Sequence, residues 1–219
     1  MPPQNAKKTV ADFEVPELEI GVLNLLVVGT SPVIPHAISA KNKEQIAAKQ
    51  QQKGQQARGK RNPRQEYLDS FYMIKGKPET KNCVYGLPAA AFRQAMISAC
   101  RQVPNLTMAG TQGCFHVFGV KGTNFVKLID HSDPRMGEDT VTLSGPGRPL
   151  DLRYRPYFDE WSVRMEIQFN LNVISIEQLF NLAHIAGFHV GVGDHRPEKA
   201  GSNGMFQPSQ KAVSAKKAA

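Results

Sequence analysis

The chain has 219 residues, 41% hydrophobic and 21% charged, with a net charge of +8, a composition that suits a soluble globular protein. No stretch approaches the roughly 20 apolar residues of a membrane span, and the N-terminus lacks the apolar core of a secretory signal. Three cysteines without paired spacing indicate reduced thiols, so we expect a cytoplasmic protein (host cytoplasm if viral) with no membrane partner.

The N-terminal part of the chain predicts a flexible lead-in over residues 1–16, a buried strand over residues 17–28 and then a basic segment. Residues 41–64 hold eight Lys/Arg against one glutamate, whereas residues 65–207 carry 14 basic and 14 acidic side chains. Localised positive charge favours a nucleic-acid arm over the alternative, a solvated and variable loop. The predicted nucleic-acid ligands of this segment are Lys41, Lys43, Lys49, Lys53, Arg58, Lys60, Arg61 and Arg64.

The next stretch predicts the first firm helix. Residues 67–74 are apolar and aromatic, and they form either a strand or a helix end. Within residues 84–103, Pro88 is well placed at a helix start. Arg93 need not lie on the buried face of this helix, and it is a further predicted nucleic-acid ligand. The buried face is predicted to carry Ala91, Phe92, Ala95, Met96, Ala99 and Cys100.

The middle of the chain predicts two strand pairs. Residues 114–120 and 124–129 are predicted to form a hairpin, and residues 130–149 are predicted to form a loop. Residues 150–158 and 161–170 are predicted to form the second pair. The second strand of that pair alternates, with one face predicted to carry Trp161, Val163, Met165, Ile167 and Phe169.

The C-terminal part predicts a second helix, a loop and a short strand. Ser175 is a suitable cap for a helix that Gly187 would end. A last strand is predicted near Met205 and Phe206, and residues 208–219 are predicted to be a disordered basic tail.

Taken together, the elements predict an α+β protein with a ferredoxin-like or RRM-like core of βαββαβ order. The core spans residues 17–207 and carries a basic insertion at residues 40–66 and an extra β-hairpin. Such a sheet offers a surface on which single-stranded bases stack, although the fold alone does not establish that use.

Residues 187–206 form a glycine-rich loop that carries His195, Arg196 and Lys199. Successive backbone N–H groups in such a loop can hold an anion, and nearby cations add to the attraction. The alternative is a plain surface loop. The three cations are predicted nucleic-acid ligands, and the predicted backbone donors are Gly191, Gly193, Gly201 and Gly204.

Two motifs resemble those of the CRISPR-associated RAMP superfamily. GLPAAAFRQAMISACR resembles its small-residue turn and Arg-bearing helix, although Pro88 and three alanines replace the more usual Gly-Ser-rich turn. GVGDHRPEKAGSNGMF resembles its C-terminal glycine-rich loop. The resemblance covers residues 18–206 and is greatest to the backbone subunits, which form helical filaments along a guide RNA. It implies an RRM-like palm whose insertions grip nucleic acid. A virus-encoded relative that coats single-stranded nucleic acid fits these motifs as well.

Catalytic and metal chemistry have weaker signals. Asp194-His195 and Asp130-His131 are adjacent pairs, which rarely present both side chains to one substrate. Cys114 and His116 share a strand face, but no second pair of metal ligands accompanies them. The sequence has no Walker motif, Rossmann fingerprint or serine elbow. We therefore assign no catalytic residue, metal or cofactor.

We expect a non-catalytic protein that binds single-stranded RNA or DNA and forms a helical or filamentous homo-oligomer along it. Tyr67, Phe71, Tyr72 and Tyr154 are candidates to stack on bases. The rival hypothesis is a RAMP-type nuclease that uses Asp194 or His195. A third is a structural assembly protein whose basic arm contacts an acidic partner.

Overall fold

The structure is a computed structural model that describes residues 16–51, 61–142, 147, 149–209 and 214–217. Its strands are β1 Ile20–Gly29, β2 Met73–Lys75, β3 Val84–Pro88, β4 Phe115–Phe118, β5 Phe125–His131, β6 Arg135–Thr142, β7 Leu150–Tyr157, β8 Trp161–Asn170, β9 Phe206–Pro208 and β10 Ser214–Lys217. Its α-helices are α1 Ala40–Gln50, α2 Pro63–Asp69, α3 Ala89–Ala99, α4 Met108–Gln112 and α5 Ile176–His189. The predicted lead-in at residues 1–15 lies outside the described residues.

The protein is a mixed α+β structure built on a mostly antiparallel sheet. β1 and β8 are its centre, and they pair antiparallel over nine residues, from Ile20 opposite Asn170 to Val28 opposite Ser162. β9 and β10 line the far edge of β1, while β4 and β5 both line the far edge of β8. β3 then pairs with β5, and β2 with β3.

Alternation along the two central strands places one face of the sheet in the core. The predicted face of β8 is confirmed, since Trp161, Val163, Met165, Ile167 and Phe169 are all buried. They join the buried faces of α3 and α5 in one hydrophobic cluster. α3 begins after Pro88, as predicted, and its buried residues include Phe92, Ala95, Met96 and Ala99.

Both predicted strand pairings are wrong. β4 and β5 follow one another along the same edge of β8, with Phe115 opposite Phe169 and Leu128 opposite Val163. β7 does not pair with β8 but with β6, in a separate two-stranded sheet. The predicted loop at residues 130–149 therefore contains a strand, β6. This strand pairs with a single neighbour and has no buried face, so it lacks the apolar alternation that would have indicated a strand in the sequence.

Three smaller predictions also need correction. Residues 67–74 contain the end of α2 and then β2, so the stretch is a helix end and a strand together. Residues 84–88 form β3, which we did not predict. Residues 214–217, placed in a disordered tail, form β10 against the first half of β1, while the predicted last strand is confirmed as β9.

α5 shows how one glycine fixes the packing of two elements. Ser175 and Gln178 form a capping box at its start, which confirms the predicted cap. Gly187 does not end the helix, which continues to His189. A Cβ at this position would overlap the Phe206 carbonyl of β9, so the glycine instead lets β9 approach the helix backbone.

We predict that Gly187→Ala lowers the free energy of unfolding by at least about 2 kcal/mol, because the added methyl collides with rigid backbone. Urea denaturation measures the change. The matched control is Gly113→Ala, where a Cβ meets nothing within 4 Å and the backbone is right-handed. A loss no larger for Gly187→Ala than for Gly113→Ala would contradict the packing of α5 on β9.

Candidate nucleic-acid interface

The basic segment begins as a surface helix. None of the described side chains of α1 is buried, and Lys43 is exposed. The backbone of Lys41 and Lys49 also belongs to α1. This part of the segment therefore contributes no described side chain to the core. Three other predicted ligands lie outside the described residues: Lys53, Arg58 and Lys60.

The two arginines at the end of the segment are held by carboxylates. Arg61 pairs with Glu66 through Nε and with Asp151 through Nη1, each at 2.7 Å. Arg64 pairs with Glu79. These contacts join α2 to β7 and to the turn between β2 and β3. Both arginines therefore have a structural role, and much of their charge is already compensated.

Arg93 is used inside the fold. Its Nη2 donates a hydrogen bond to the Gln112 carbonyl at 2.5 Å, and its Nε donates to the Phe115 carbonyl at 3.3 Å. The side chain thus ties α3 to the connection between α4 and β4. Two of the five N–H donors of this guanidinium are therefore used within the fold.

The cations of the glycine-rich loop are arranged unequally. Arg196 Nη2 lies 2.8 Å from Glu198 Oε2. Burial raises the pKa of Glu198, but Arg196 outweighs it, so this pKa lies below its ordinary value. His195 has positive φ, and its Nε2 is buried with no hydrogen-bond partner among the residues that the structure describes. Lys199 is exposed and is in no ion pair among the described residues, so it is the loop cation best placed to meet a ligand.

The loop backbone is mainly a packing element. Gly193 has φ +79°, and a Cβ there would lie 2.7 Å from the Ile34 carbonyl, so glycine lets the loop rest on the segment after β1. The N–H groups of Gly191, Gly201 and Gly204 donate to the carbonyls of Ala186, Arg196 and Pro32. Three of the four predicted anion donors are thus already used within the protein.

Asp194 connects the loop to two other parts of the fold. Its Oδ2 lies 2.9 Å from His36 Nδ1 and 2.6 Å from Arg155 Nη1, at ion-pair distance. Its own N–H donates to the Ile34 carbonyl at 3.0 Å. One carboxylate therefore joins the loop, the segment after β1 and strand β7. Arg155 is 2% exposed, so the pair is buried on the arginine side.

Opposing effects set the charge of this cluster. Burial raises the pKa of Asp194, but His36, Arg155 and His195 together hold it below its ordinary value. Burial lowers the pKa of Arg155, and Asp194 opposes that shift. His36 and Arg155 were missed in the sequence, because nothing in their local patterns indicates that they meet Asp194.

One face of the central sheet is left open. On β8 it carries the exposed Arg164 and Glu166. The exposed residues of this face on β4 and β5 are Phe118, which lies opposite Glu166, and Lys127 and Ile129. Phe118 is 43% exposed and lies 6.5 Å from the exposed His116, measured between ring centroids. The open face thus combines aromatic rings, the carboxylate of Glu166 and two cations, Lys127 and Arg164, that are in no ion pair with another described residue. Rings and cations together suit stacked bases and phosphates.

The aromatic residues predicted to stack are mostly core residues. Tyr67 is 0% exposed and Phe71 is 5% exposed, and their rings pack edge to face at 5.1 Å. Tyr72 is half-buried and donates its hydroxyl to the His36 carbonyl. Tyr154 lies outside the open face, on β7, with Arg61 5.8 Å above its ring. The burial of Tyr67 and Phe71 contradicts the stacking prediction for these two residues, and the sequence did not single out the exposed Phe118.

The remaining candidate pairs do not form a shared site. Asp130 accepts a hydrogen bond from Ser162, and His131 packs 5.2 Å from the Tyr85 ring. The Cys114 thiol donates to the Gly110 carbonyl. Within the described part of the chain, no group of three or more His, Cys, Asp or Glu side chains is placed to hold a metal ion.

No family model matches the chain, and no curated protein matches it significantly. Among the described helices, none has both the length and the apolar character that a bilayer crossing requires.

We predict that Asp194→Asn lowers the free energy of unfolding by about 2–3 kcal/mol, because it leaves the buried Arg155 charge uncompensated. Since the folded pKa of Asp194 lies below the ordinary value of about 3.9, its contribution is present above that pH. The contribution is lost as the pH falls through the folded pKa. The stability gap between the wild type and the variant should narrow in acid.

The control for this experiment is Asp159→Asn, which breaks the Arg135 pair between two side chains that are each about half exposed. It should cost less than about 1 kcal/mol. Chemical denaturation between pH 3 and pH 7 measures both. Equal losses for the two variants, or a gap for Asp194→Asn that widens in acid, would contradict the assignment.

Proposed function

We propose that the protein binds single-stranded RNA or DNA without catalysis and oligomerises along the strand, in the manner of RAMP backbone subunits. One observation carries this proposal: residues 41–64 hold eight Lys/Arg against one glutamate, and they begin on a helix with no described buried side chain. Positive charge that is concentrated in one segment attracts a polyanion.

The strand order supports a ferredoxin-like core within this proposal. β1, α3, β4 with β5, β8, α5 and β9 follow a βαββαβ order. In the sheet, β1 and β8 lie at the centre, with β9 on the far side of β1 and with β4 and β5 on the far side of β8; β3 and β2 extend the sheet beyond β5. One RAMP-like motif spans the end of β3 and α3, and the other follows α5. The β6–β7 sheet and α1 are then the insertions that grip the strand.

The open sheet face supplies a second contact surface. Phe118 and His116 offer ring faces to bases, and Lys127 and Arg164 offer charge to phosphates. Unlike the arginines of the Asp194 cluster and of α2, these two cations lie in no ion pair among the described residues. The basic arm and the open face together would hold a strand by charge and by stacking.

We predict that reversing four cations of the arm (Lys43, Lys53, Arg58 and Lys60 to Glu) weakens binding to a single-stranded oligonucleotide. Fluorescence anisotropy over a series of salt concentrations measures it. Each phosphate contact contributes about −0.7 to the slope of log K against log salt, so the slope should become shallower by about 3.

The matched control reverses Lys75, Lys77, Lys81 and Lys121 to Glu, which makes the same change of net charge outside residues 41–64. Its salt slope should stay near that of the wild type. Equal weakening by both variants would show that net charge alone attracts the strand, and it would remove the arm from the interface.

We further predict that Phe118→Ala weakens binding by about 1–3 kcal/mol, because it removes a base-stacking surface. The control is Phe188→Ala, which removes a more exposed ring, at 61%, from the end of α5 on the opposite side of the sheet. The same anisotropy titration at fixed salt measures both. A loss for Phe188→Ala and none for Phe118→Ala would place the strand on the helical side.

The nuclease alternative has one specific observation in its favour. Asp194 contacts Nδ1 of His36, and a carboxylate in that position orients an imidazole for acid–base work. The His36 side chain is 40% exposed, whereas Nε2 of His195 is buried. His36, rather than His195, would be the reacting group.

Incubation of labelled RNA and DNA with and without divalent metal ions separates the two functions. We expect intact strands in every case. Cleavage that disappears in His36→Ala while binding persists would establish the nuclease instead. A purified protein free of nucleic acid, with a low 260/280 nm ratio and no affinity for oligonucleotides, would favour the assembly alternative.

A further inference from the structure

A groove of about 600 Å³ lies between the 103–111 segment and α5. Its walls are mostly apolar and include Leu106, Val173, Ile174 and Leu182. Leu106 is 38% exposed and Val173 is 59% exposed, so apolar surface continues out to the rim. None of the described residues that line the groove is charged. Its chemistry suits an apolar side chain rather than a nucleic acid.

The segments that supply the lining of this groove carry no formal charge. Residues 102–120, 167–176 and 178–193 contain no Lys, Arg, Asp or Glu, although 21% of the whole chain is charged. Two copies of a chain with a net charge of +8 repel one another through their charged surfaces. A contact between copies is therefore least costly on this uncharged face. Depletion of charge is also typical of the core of a protein–protein interface.

An exposed aromatic ring stands next to the groove on α5. Phe188 is 61% exposed, the most exposed of the described phenylalanines, and its ring lies 5.0 Å from that of His189, measured between centroids. Ile185 lines the groove. Residues three apart are neighbours on a helix surface, so Phe188 follows Ile185 on the same side of α5. The groove and the exposed ring therefore share one uncharged face.

We propose that this face forms a twofold contact with a second copy of the chain, in which the two α5 helices run antiparallel and each Phe188 enters the groove of the other copy. On α5 the groove lining is centred near Leu182, which is six residues before Phe188, or about 9 Å along a helix. With the twofold axis beside Ile185, midway between these positions, each Phe188 lies opposite the partner's Leu182. A surface that carries both groups in this way is self-complementary, as a twofold interface requires.

The proposed contact leaves the open face of the central sheet free. The buried residues of α5 join those of β8 in the hydrophobic cluster, on the face of the sheet opposite to the open one. A copy that docks on the outer side of α5 therefore covers neither Phe118 nor Arg164. The proposal does not rest on nucleic-acid binding, and its test uses protein freed of nucleic acid.

Sedimentation equilibrium of the full chain, in salt high enough to screen the basic segment, measures the dissociation constant of the dimer. Phe188→Glu should raise this constant by at least about tenfold, because it places a charge in an apolar groove. The control is Leu150→Glu, which puts the same charge on β7 in place of a side chain that is 73% exposed, and it should dimerise like the wild type. A monomeric wild type, or equal dimerisation of Phe188→Glu and the wild type, would overturn the proposal. Species larger than a dimer that grow with concentration would indicate a head-to-tail contact and would also overturn it.

Disulfide cross-linking tests the antiparallel arrangement of the two helices. In a background with Cys83→Ser and Cys114→Ser, Ile185→Cys lies beside the twofold axis, and diamide should oxidise its two thiols to a cross-linked dimer on a non-reducing gel. Glu177→Cys is eight residues from the axis, about 12 Å on either side, so its two thiols start about 24 Å apart and should cross-link at least several-fold more slowly. Equal rates for the two variants would exclude the twofold pairing and overturn the proposal.

Discussion

The distribution of charge over this protein depends on ion pairs between arginines and carboxylates within the folded domain. Seven of its nine described arginines lie within 4.0 Å of an acidic side chain. The buried member of this set, Arg155, needs Asp194, because an isolated charge in that position would be strongly destabilising. Five of the seven arginines pair with a carboxylate in another part of the fold, whereas Arg153 and Arg196 pair with one two residues away.

The Asp194 cluster also explains why the glycine-rich loop is not a simple phosphate cradle. Its glycines allow close approach to the segment after β1, and its carboxylate joins that segment to β7. The loop thereby fixes the β6–β7 sheet relative to the central sheet. In the proposed function, the loop is a rigid support between two binding surfaces, and Lys199 is the part of it that is exposed to a strand.

Local patterns in the sequence predicted the elements well, and distant pairings poorly. The period of two in β8 and the capped start of α5 depend on neighbouring residues, and both are confirmed. The partner of β7 and the contact between His36 and Asp194 depend on the tertiary fold, and no local signal records them. The burial of individual aromatic residues could not be predicted from the neighbouring sequence either. Tyr67 is in the core, whereas Phe118, which also lies in an apolar stretch, is exposed.

Electron microscopy of the full chain with single-stranded oligonucleotides of increasing length tests the proposed assembly along a strand. We expect filaments whose length grows in proportion to the oligonucleotide and that are absent without it. Particles of constant size, unaffected by the length or presence of the strand, would contradict it.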